Sequence, residues 1–179
     1  MDIDHAWVKT WAAQYDARFR GKPDAIVEEQ LRSWLARTPV PKYLDKEHFL
    51  LLARWKSPRA QTRYAQNDDR LVREATRLSY EADDPRIKLH ILRVIDGVGV
   101  PVASTILHFL QPDGFAIFDV RVRTSLKQAG LWDRATADSS TQAWIAFNSL
   151  MKQLATSAGT DLRTLDKALW QYNAQRVSP

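Results

Sequence analysis

A Gly97-Val98-Gly99 turn joins two apolar stretches of helix length within the segment 92–119. Because glycine has no Cβ, the backbone at both glycines can take positive φ and can approach another molecule closely. A helix that opens directly after the turn would add unpaired N–H groups and the positive end of a helix dipole. This combination suits a phosphate group, so the turn is the first candidate binding site.

Asp119 follows this segment at the start of another predicted helix, 120–129. Aspartate is a favoured N-cap residue, since its carboxylate accepts hydrogen bonds from the first free N–H groups of a helix. A capping carboxylate can also take part in chemistry, because the two roles are compatible. Asp119 is therefore the second candidate, either as a cap alone or as a cap that also reacts.

The helices that must position these residues follow from apolar side chains three or four apart, which is the spacing of one helical face. Caps, prolines and glycines place the helix ends. The predicted helices are 2–19, a second from a cap at Asp24 to Thr38, a third from Asp45 to Trp55, a short basic segment opening at Ser57-Pro58, then 69–81, 85–95, an apolar stripe over 102–110, 120–129, one from Ser139 or Ser140 to Gly159, and 161–175. No sustained alternation of apolar and polar residues predicts a sheet. We therefore expect an all-α fold of about nine or ten helices, in a single domain over residues 1–179.

The composition excludes several kinds of site. The chain has no cysteine, which excludes disulfides, thiolate zinc sites, cysteine nucleophiles and cysteine-ligated iron–sulfur clusters. Its four histidines show no ligand spacing with carboxylates, so we expect no catalytic metal. The formal charge of +5 favours an anionic partner. No apolar run is long enough to span a bilayer and the first residues are unlike a signal peptide, so we expect a soluble, cytoplasmic protein with no membrane partner.

Two strings of residues resemble a known family. The string 95–103 reads Ile-Asp-Gly-Val-Gly-Val-Pro-Val-Ala, and the string 118–122 reads Phe-Asp-Val-Arg-Val. Together they resemble the helix-hairpin-helix (HhH-GPD) DNA glycosylases, the superfamily of endonuclease III. The resemblance covers roughly residues 85–128. It implies a compact multi-helix domain with the hairpin near 85–110, a core over about 45–130, and N- and C-terminal helices packed around that core.

The resemblance implies roles for the matching residues. Backbone groups of Gly97, Val98, Gly99 and Val100 would hold a DNA phosphate, and K⁺ or Na⁺ would lie on the carbonyls of Ile95 and Val98. Asp119 would be the catalytic carboxylate. A carboxylate beside the sugar can stabilise the oxocarbenium-like charge that develops when a base is cleaved, or can orient a water molecule. No other cofactor is implied.

Pro101 departs from the family pattern. Bifunctional members carry a lysine two residues after the second hairpin glycine, and proline offers no amine for a Schiff base. The resemblance therefore implies a monofunctional enzyme in which water is the nucleophile. Only roughly 40 residues separate the segment 55–59 from the hairpin. This spacing is shorter than in larger members, so we expect an open base pocket.

Further side chains are candidates for DNA contact. The basic ones are Lys56, Arg59, Arg121 and Arg123, and the aromatic ones are Trp55 and Phe118. The first two cations lie where the family places its DNA-intercalating loop, and the second two would contact backbone phosphates. A solvated helix face is the alternative for each cation, and the core is the alternative for each aromatic ring, although aromatic faces also stack on bases.

These observations predict a DNA N-glycosylase that acts as a monomer on double-stranded DNA with a flipped base, as in base excision repair of DNA damage. One alternative is a helix-hairpin-helix protein that binds DNA without chemistry. Another is a glycosylase for a bulky modified base, as on phage DNA, and a third is a lyase that uses a different lysine. No spacing rule in the sequence identifies the base that is removed.

Overall fold

The fold is entirely helical in the computed structural model, which describes residues 2–177. Among those residues there are ten α-helices and no β-strand. The helices are α1 (His5–Phe19), α2 (Pro23–Arg37), α3 (Lys46–Lys56), α4 (Gln61–Gln66), α5 (Asp69–Glu81), α6 (Pro85–Leu92), α7 (Val100–Leu110), α8 (Val120–Gln128), α9 (Thr141–Ser157) and α10 (Leu162–Val177), with a 3₁₀ turn at Pro58–Ala60. The prediction of an all-α fold is confirmed.

Most helices begin where local capping chemistry predicts. The carboxylates of Asp45, Asp68 and Asp84 each accept a backbone N–H from the first turn of the following helix. Ser140 does the same for α9, which decides between the two serines that the sequence offered. Each cap satisfies an N–H that has no partner within its own helix.

Three predicted boundaries are wrong. α1 begins at His5 instead of residue 2, after a cap at Asp4. α2 begins at Pro23, so Asp24 lies in its first turn instead of capping it. α6 ends at Leu92, because the N–H groups of residues 93–95 bond carbonyls three positions earlier instead of four. This tighter winding ends the α-helix and begins the turn that leads to Gly97.

The chain divides into two compact units. The first, called the terminal unit, has residues 2–20 and 115–177 as its described part, and the second, called the central unit, is Gly21–Gly114. In the terminal unit α10 packs against α1, α8 and α9. Its core includes Trp144 and Phe147 of α9, and the Phe147 ring lies 5.1 Å from that of Phe118.

The central unit surrounds α7. All residues of this helix except Pro101 are buried, and α2, α3, α5 and α6 pack against it. A buried hydroxyl also joins α5 to the chain before α3, since Thr76 Oγ1 accepts the Leu44 N–H at 2.9 Å. The second helix of the predicted hairpin is therefore the central helix of its unit, and Pro101, near its N-terminal end, is its one residue that is not buried.

Each unit has its own helices and its own buried core. The prediction of a single domain over residues 1–179 stays a prediction. Within residues 2–177, no helix combines the length and the apolar character that a membrane crossing requires.

Candidate functional site

The hairpin consists of α6, a turn at residues 93–99, and α7. Gly97 has φ +86°, a conformation that L side chains rarely adopt. A Cβ at this position would lie 2.8 Å from two ring atoms of Tyr64, which is closer than Cβ atoms approach non-bonded atoms in proteins. Gly97 is therefore required twice, once by the backbone conformation and once by the packing.

Gly99 has an ordinary backbone conformation. Its φ is −91° and its ψ is 177°, which is extended backbone that any residue can adopt. A Cβ here would meet only Pro101 Cδ, at an ordinary 3.8 Å. Gly99 therefore does not use the positive φ that glycine permits. Gly99 instead leaves an exposed, uncovered backbone at the N-cap of α7, where no side chain supplies a capping bond.

The start of α7 has unsatisfied donors. Among residues 2–177, no group accepts a hydrogen bond from the N–H of Gly99, Val100 or Val102. Pro101 occupies the second helical position, where the absence of an N–H costs nothing. No acidic residue lies in the first turn. Free N–H groups and the positive end of the helix dipole together suit an anion, as the sequence predicts.

The hairpin carbonyls fit the monovalent cation that the family resemblance implies. The Ile95 carbonyl accepts one hydrogen bond, from the Val98 N–H at 3.1 Å, and a carbonyl oxygen has a second lone pair. The Val98 carbonyl accepts no hydrogen bond within residues 2–177. K⁺ or Na⁺ bound there would hold the turn by coordination to backbone oxygens. Within the same residues, no three His, Asp or Glu side chains cluster in a way that could hold a metal ion.

Asn67 is the residue that sequence reasoning missed at the hairpin. It lies just after α4, is 5% exposed, and bonds both the N–H and the carbonyl of Asp96 in the turn. In the sequence it precedes the cap Asp68 and carries no other signal. The contact spans 29 residues of chain, so only the folded structure reveals it.

The residues predicted beside the hairpin lie in the same unit. Lys56 is the last residue of α3 and Arg59 lies exposed in the 3₁₀ turn that follows. The Trp55 ring is half-buried and packs edge-to-face on Phe109, with centroids 5.9 Å apart. Contact of these side chains with DNA stays a prediction.

Asp119 lies in the terminal unit as the N-cap of α8. Its Oδ1 accepts the Arg121 N–H at 2.8 Å, and the residue is partly exposed. The Arg121 side chain is exposed, and its guanidinium lies 4.8 Å from the ring centroid of Trp170.

Two predictions in this region need correction. Arg123 is 3% exposed, donates a hydrogen bond of 2.7 Å to the Asp138 carbonyl, and lies 3.9 Å above the Phe118 ring. Phe118 itself is fully buried. Neither side chain can reach DNA without leaving the core, so a phosphate contact by Arg123 and base stacking by Phe118 are both wrong for this conformation.

Arg123 instead belongs to the surroundings of Asp119. Burial lowers the pKa of its guanidinium from the ordinary value, while the negative charges of Asp119 and Asp138 oppose that shift. The opposition means that a buried cation interacts electrostatically with the Asp119 carboxylate.

No family model, curated protein or solved structure matches the chain. Membership of the helix-hairpin-helix superfamily thus stays a prediction. The arguments for function rest on the geometry of the hairpin in the central unit and of Asp119 in the terminal unit.

Proposed function

We propose that the protein is a monofunctional DNA N-glycosylase that hydrolyses the bond between a damaged or modified base and deoxyribose. The observation that carries this proposal is the hairpin. Gly97 forces the turn, Gly99 leaves its backbone exposed, and the first N–H groups of α7 have no acceptor within residues 2–177. These groups hold a DNA phosphate, which positions the strand without selecting a base.

Asp119 supplies the chemistry. It is partly exposed, and the buried guanidinium of Arg123 interacts with it electrostatically. Cleavage of the glycosidic bond develops positive charge on the sugar, and an ionised carboxylate stabilises that charge or orients the attacking water. Pro101 has no amine, so the hairpin offers no Schiff base and water is the nucleophile.

Three further cations hold the duplex. Lys56 is the last residue of α3, Arg59 lies in the 3₁₀ turn that follows, and Arg121 lies in the first turn of α8. Extrusion of a base from the stack costs a few kcal/mol, and contacts to the backbone on either side offset that cost. The partner is double-stranded DNA with one flipped nucleotide.

The decisive experiment is a search for released bases. Purified protein is incubated with duplexes that each contain one modified base, and mass spectrometry identifies free bases in the supernatant. Asp119→Asn keeps the N-cap, because asparagine caps helices as well as aspartate does. We expect it to bind DNA normally and to lose excision by roughly 10²–10⁴-fold, which is the usual contribution of such a group.

Asp133→Asn is the matched control, since Asp133 is an exposed aspartate of the same unit. Its excision rate should equal that of the wild type. Full activity of Asp119→Asn would refute the catalytic role. Trapping with borohydride adds a second check, because a covalent adduct with DNA would show that an amine acts as the nucleophile.

A second candidate is a DNA-binding protein without chemistry. The observation that favours it is that capping of α8 already accounts for Asp119. Its signature would be salt-sensitive DNA binding, no base release from any duplex, and an Asp119→Asn protein identical to the wild type.

A further inference from the structure

The amide of Asn67 makes an unusual number of contacts for one buried side chain. Its Nδ2 donates to the carbonyls of Arg63, Tyr64 and Asp96, each at 3.1 Å, and its Oδ1 accepts the Asp96 N–H at 2.7 Å. The first two carbonyls belong to α4 and the last two groups to the hairpin turn. One side chain therefore ties α4 and the turn together through the backbone of both.

The packing beside this amide is equally close. The Tyr64 ring lies against Gly97, so closely that a Cβ there would approach it to 2.8 Å, and Arg63 Cβ would lie 3.2 Å from the same point. Tyr64 is 1% exposed. The Tyr64 ring and Arg63 Cβ of α4 therefore lie next to the turn, in the space that a side chain at position 97 would need.

The Arg63 side chain extends from α4 beside the hairpin turn and is exposed to solvent. Within residues 2–177 its guanidinium makes no hydrogen bond and no ion pair. Three other arginines of the central unit, Arg73, Arg77 and Arg86, each pair with a carboxylate, whereas Arg63 does not. A guanidinium without a carboxylate partner keeps its donors for an anion from outside.

We infer that α4 is the second half of the DNA-binding surface at the hairpin: Arg63 contacts a backbone phosphate beside the turn, and Asn67 is a positioning residue that holds Arg63 and the turn in register. The inference rests on the proposed DNA partner, and it does not depend on base excision. Arg63, to which it assigns DNA binding, lies outside the segment of roughly residues 85–128 that resembles the glycosylases.

The Arg63 contact is tested by binding to an undamaged duplex at several salt concentrations, measured by fluorescence anisotropy. Removal of one phosphate contact should lower the slope of log affinity against log salt by about 0.9. The affinity ratio of wild type to Arg63→Gln should therefore shrink roughly 3.5-fold between 0.1 and 0.4 M KCl. Arg63→Lys keeps the charge and should restore most of the slope.

Arg37→Gln is the control for loss of charge alone, because Arg37 is an exposed arginine at the end of α2. Its salt slope should stay at the wild-type value. An Arg63→Gln protein with wild-type affinity and wild-type salt slope would overturn the inference, and equal effects of both variants would also overturn it.

The role of Asn67 is tested by its coupling to Arg63. In an Asn67→Ala background, Arg63→Gln should change the salt slope by much less than the roughly 0.9 expected in the wild type, since the arginine is no longer held. Additive effects would show that Asn67 is only structural. Circular dichroism confirms that the variant is folded.

If Asn67→Ala does not fold, hydrogen exchange of the wild type replaces it. The Asp96 amide should exchange slowly, because Asn67 Oδ1 accepts its N–H. Rapid exchange at this one amide would overturn the positioning role.

The two proposals fail in different ways. DNA binding with the predicted Arg63 slope but no base release would leave this inference standing and would refute the glycosylase. Wild-type protein without salt-dependent DNA binding would refute both.

Discussion

Replacement of Gly97 by alanine tests whether the hairpin turn has the described conformation. A non-glycine residue at φ +86° stores strain of about 1–3 kcal/mol. The new Cβ would also lie 2.8 Å from Tyr64 Cδ1 and Cε1, and displacement of a buried ring costs about 1–3 kcal/mol more. We therefore expect Gly97→Ala to destabilise the folded protein by roughly 2–6 kcal/mol.

The assay is thermal unfolding followed by circular dichroism. One kcal/mol shifts Tm by roughly 2–4 °C in chains of this length, so Tm should fall by at least roughly 4 °C. Gly99→Ala is the internal control, because its φ is −91° and its Cβ would meet only Pro101 Cδ at 3.8 Å. This control should cost no more than about 1 kcal/mol, the usual effect of a poor N-cap.

The comparison between the two glycines gives the refutation. Equal Tm values for the two variants would show that the turn does not need a left-handed residue at Gly97. A larger loss for Gly99→Ala than for Gly97→Ala would contradict the packing against Tyr64 directly.

Three other predictions concern a buried hydrogen bond, a helix cap and a buried arginine that stabilise the two units. Thr76→Val leaves the buried Leu44 N–H without its acceptor, so urea titration should show a loss of about 1–3 kcal/mol that Thr76→Ser avoids. Hydrogen bonds from Arg86 hold the Asp84 pKa at about 2. The stability from this ionised cap is thus complete above the pKa of Asp84 in the unfolded chain, and it is lost as pH falls from there through about 2. NMR titration of the folded protein measures the pKa of Asp84, and Arg86→Gln should raise this pKa. Arg123→Gln should lower Tm and leave the salt slope of DNA binding unchanged, since the side chain is buried.

Features that depend on neighbours in the chain could be predicted from the sequence. The caps at Asp45, Asp68 and Asp84 begin their helices as expected, because a capping bond joins residues two or three apart. The same locality explains why α7 tolerates Pro101 near its start. Local rules failed at α6, where the tight turns of residues 93–95 depend on the conformation of the whole hairpin.

Features that depend on which helix face meets the core could not be predicted in this way. Arg121 and Arg123 lie two residues apart on α8, a spacing that places them on different faces. Sequence reasoning assigned both to DNA, yet Arg121 is exposed whereas Arg123 is only 3% exposed. Phe118 likewise belongs to the core because Phe147 of a distant helix packs on it.

The residue types and spacing alone were enough to predict an all-helical chain with a glycine hairpin and a capping aspartate, since helix periodicity, capping and glycine backbone freedom act over a few residues. The contact of Asn67 with Asp96, the exposed position of Arg63 beside Gly97 and the burial of Arg123 required the folded chain. Each arises when segments far apart in sequence pack together, and long-range packing leaves no periodic pattern in the sequence.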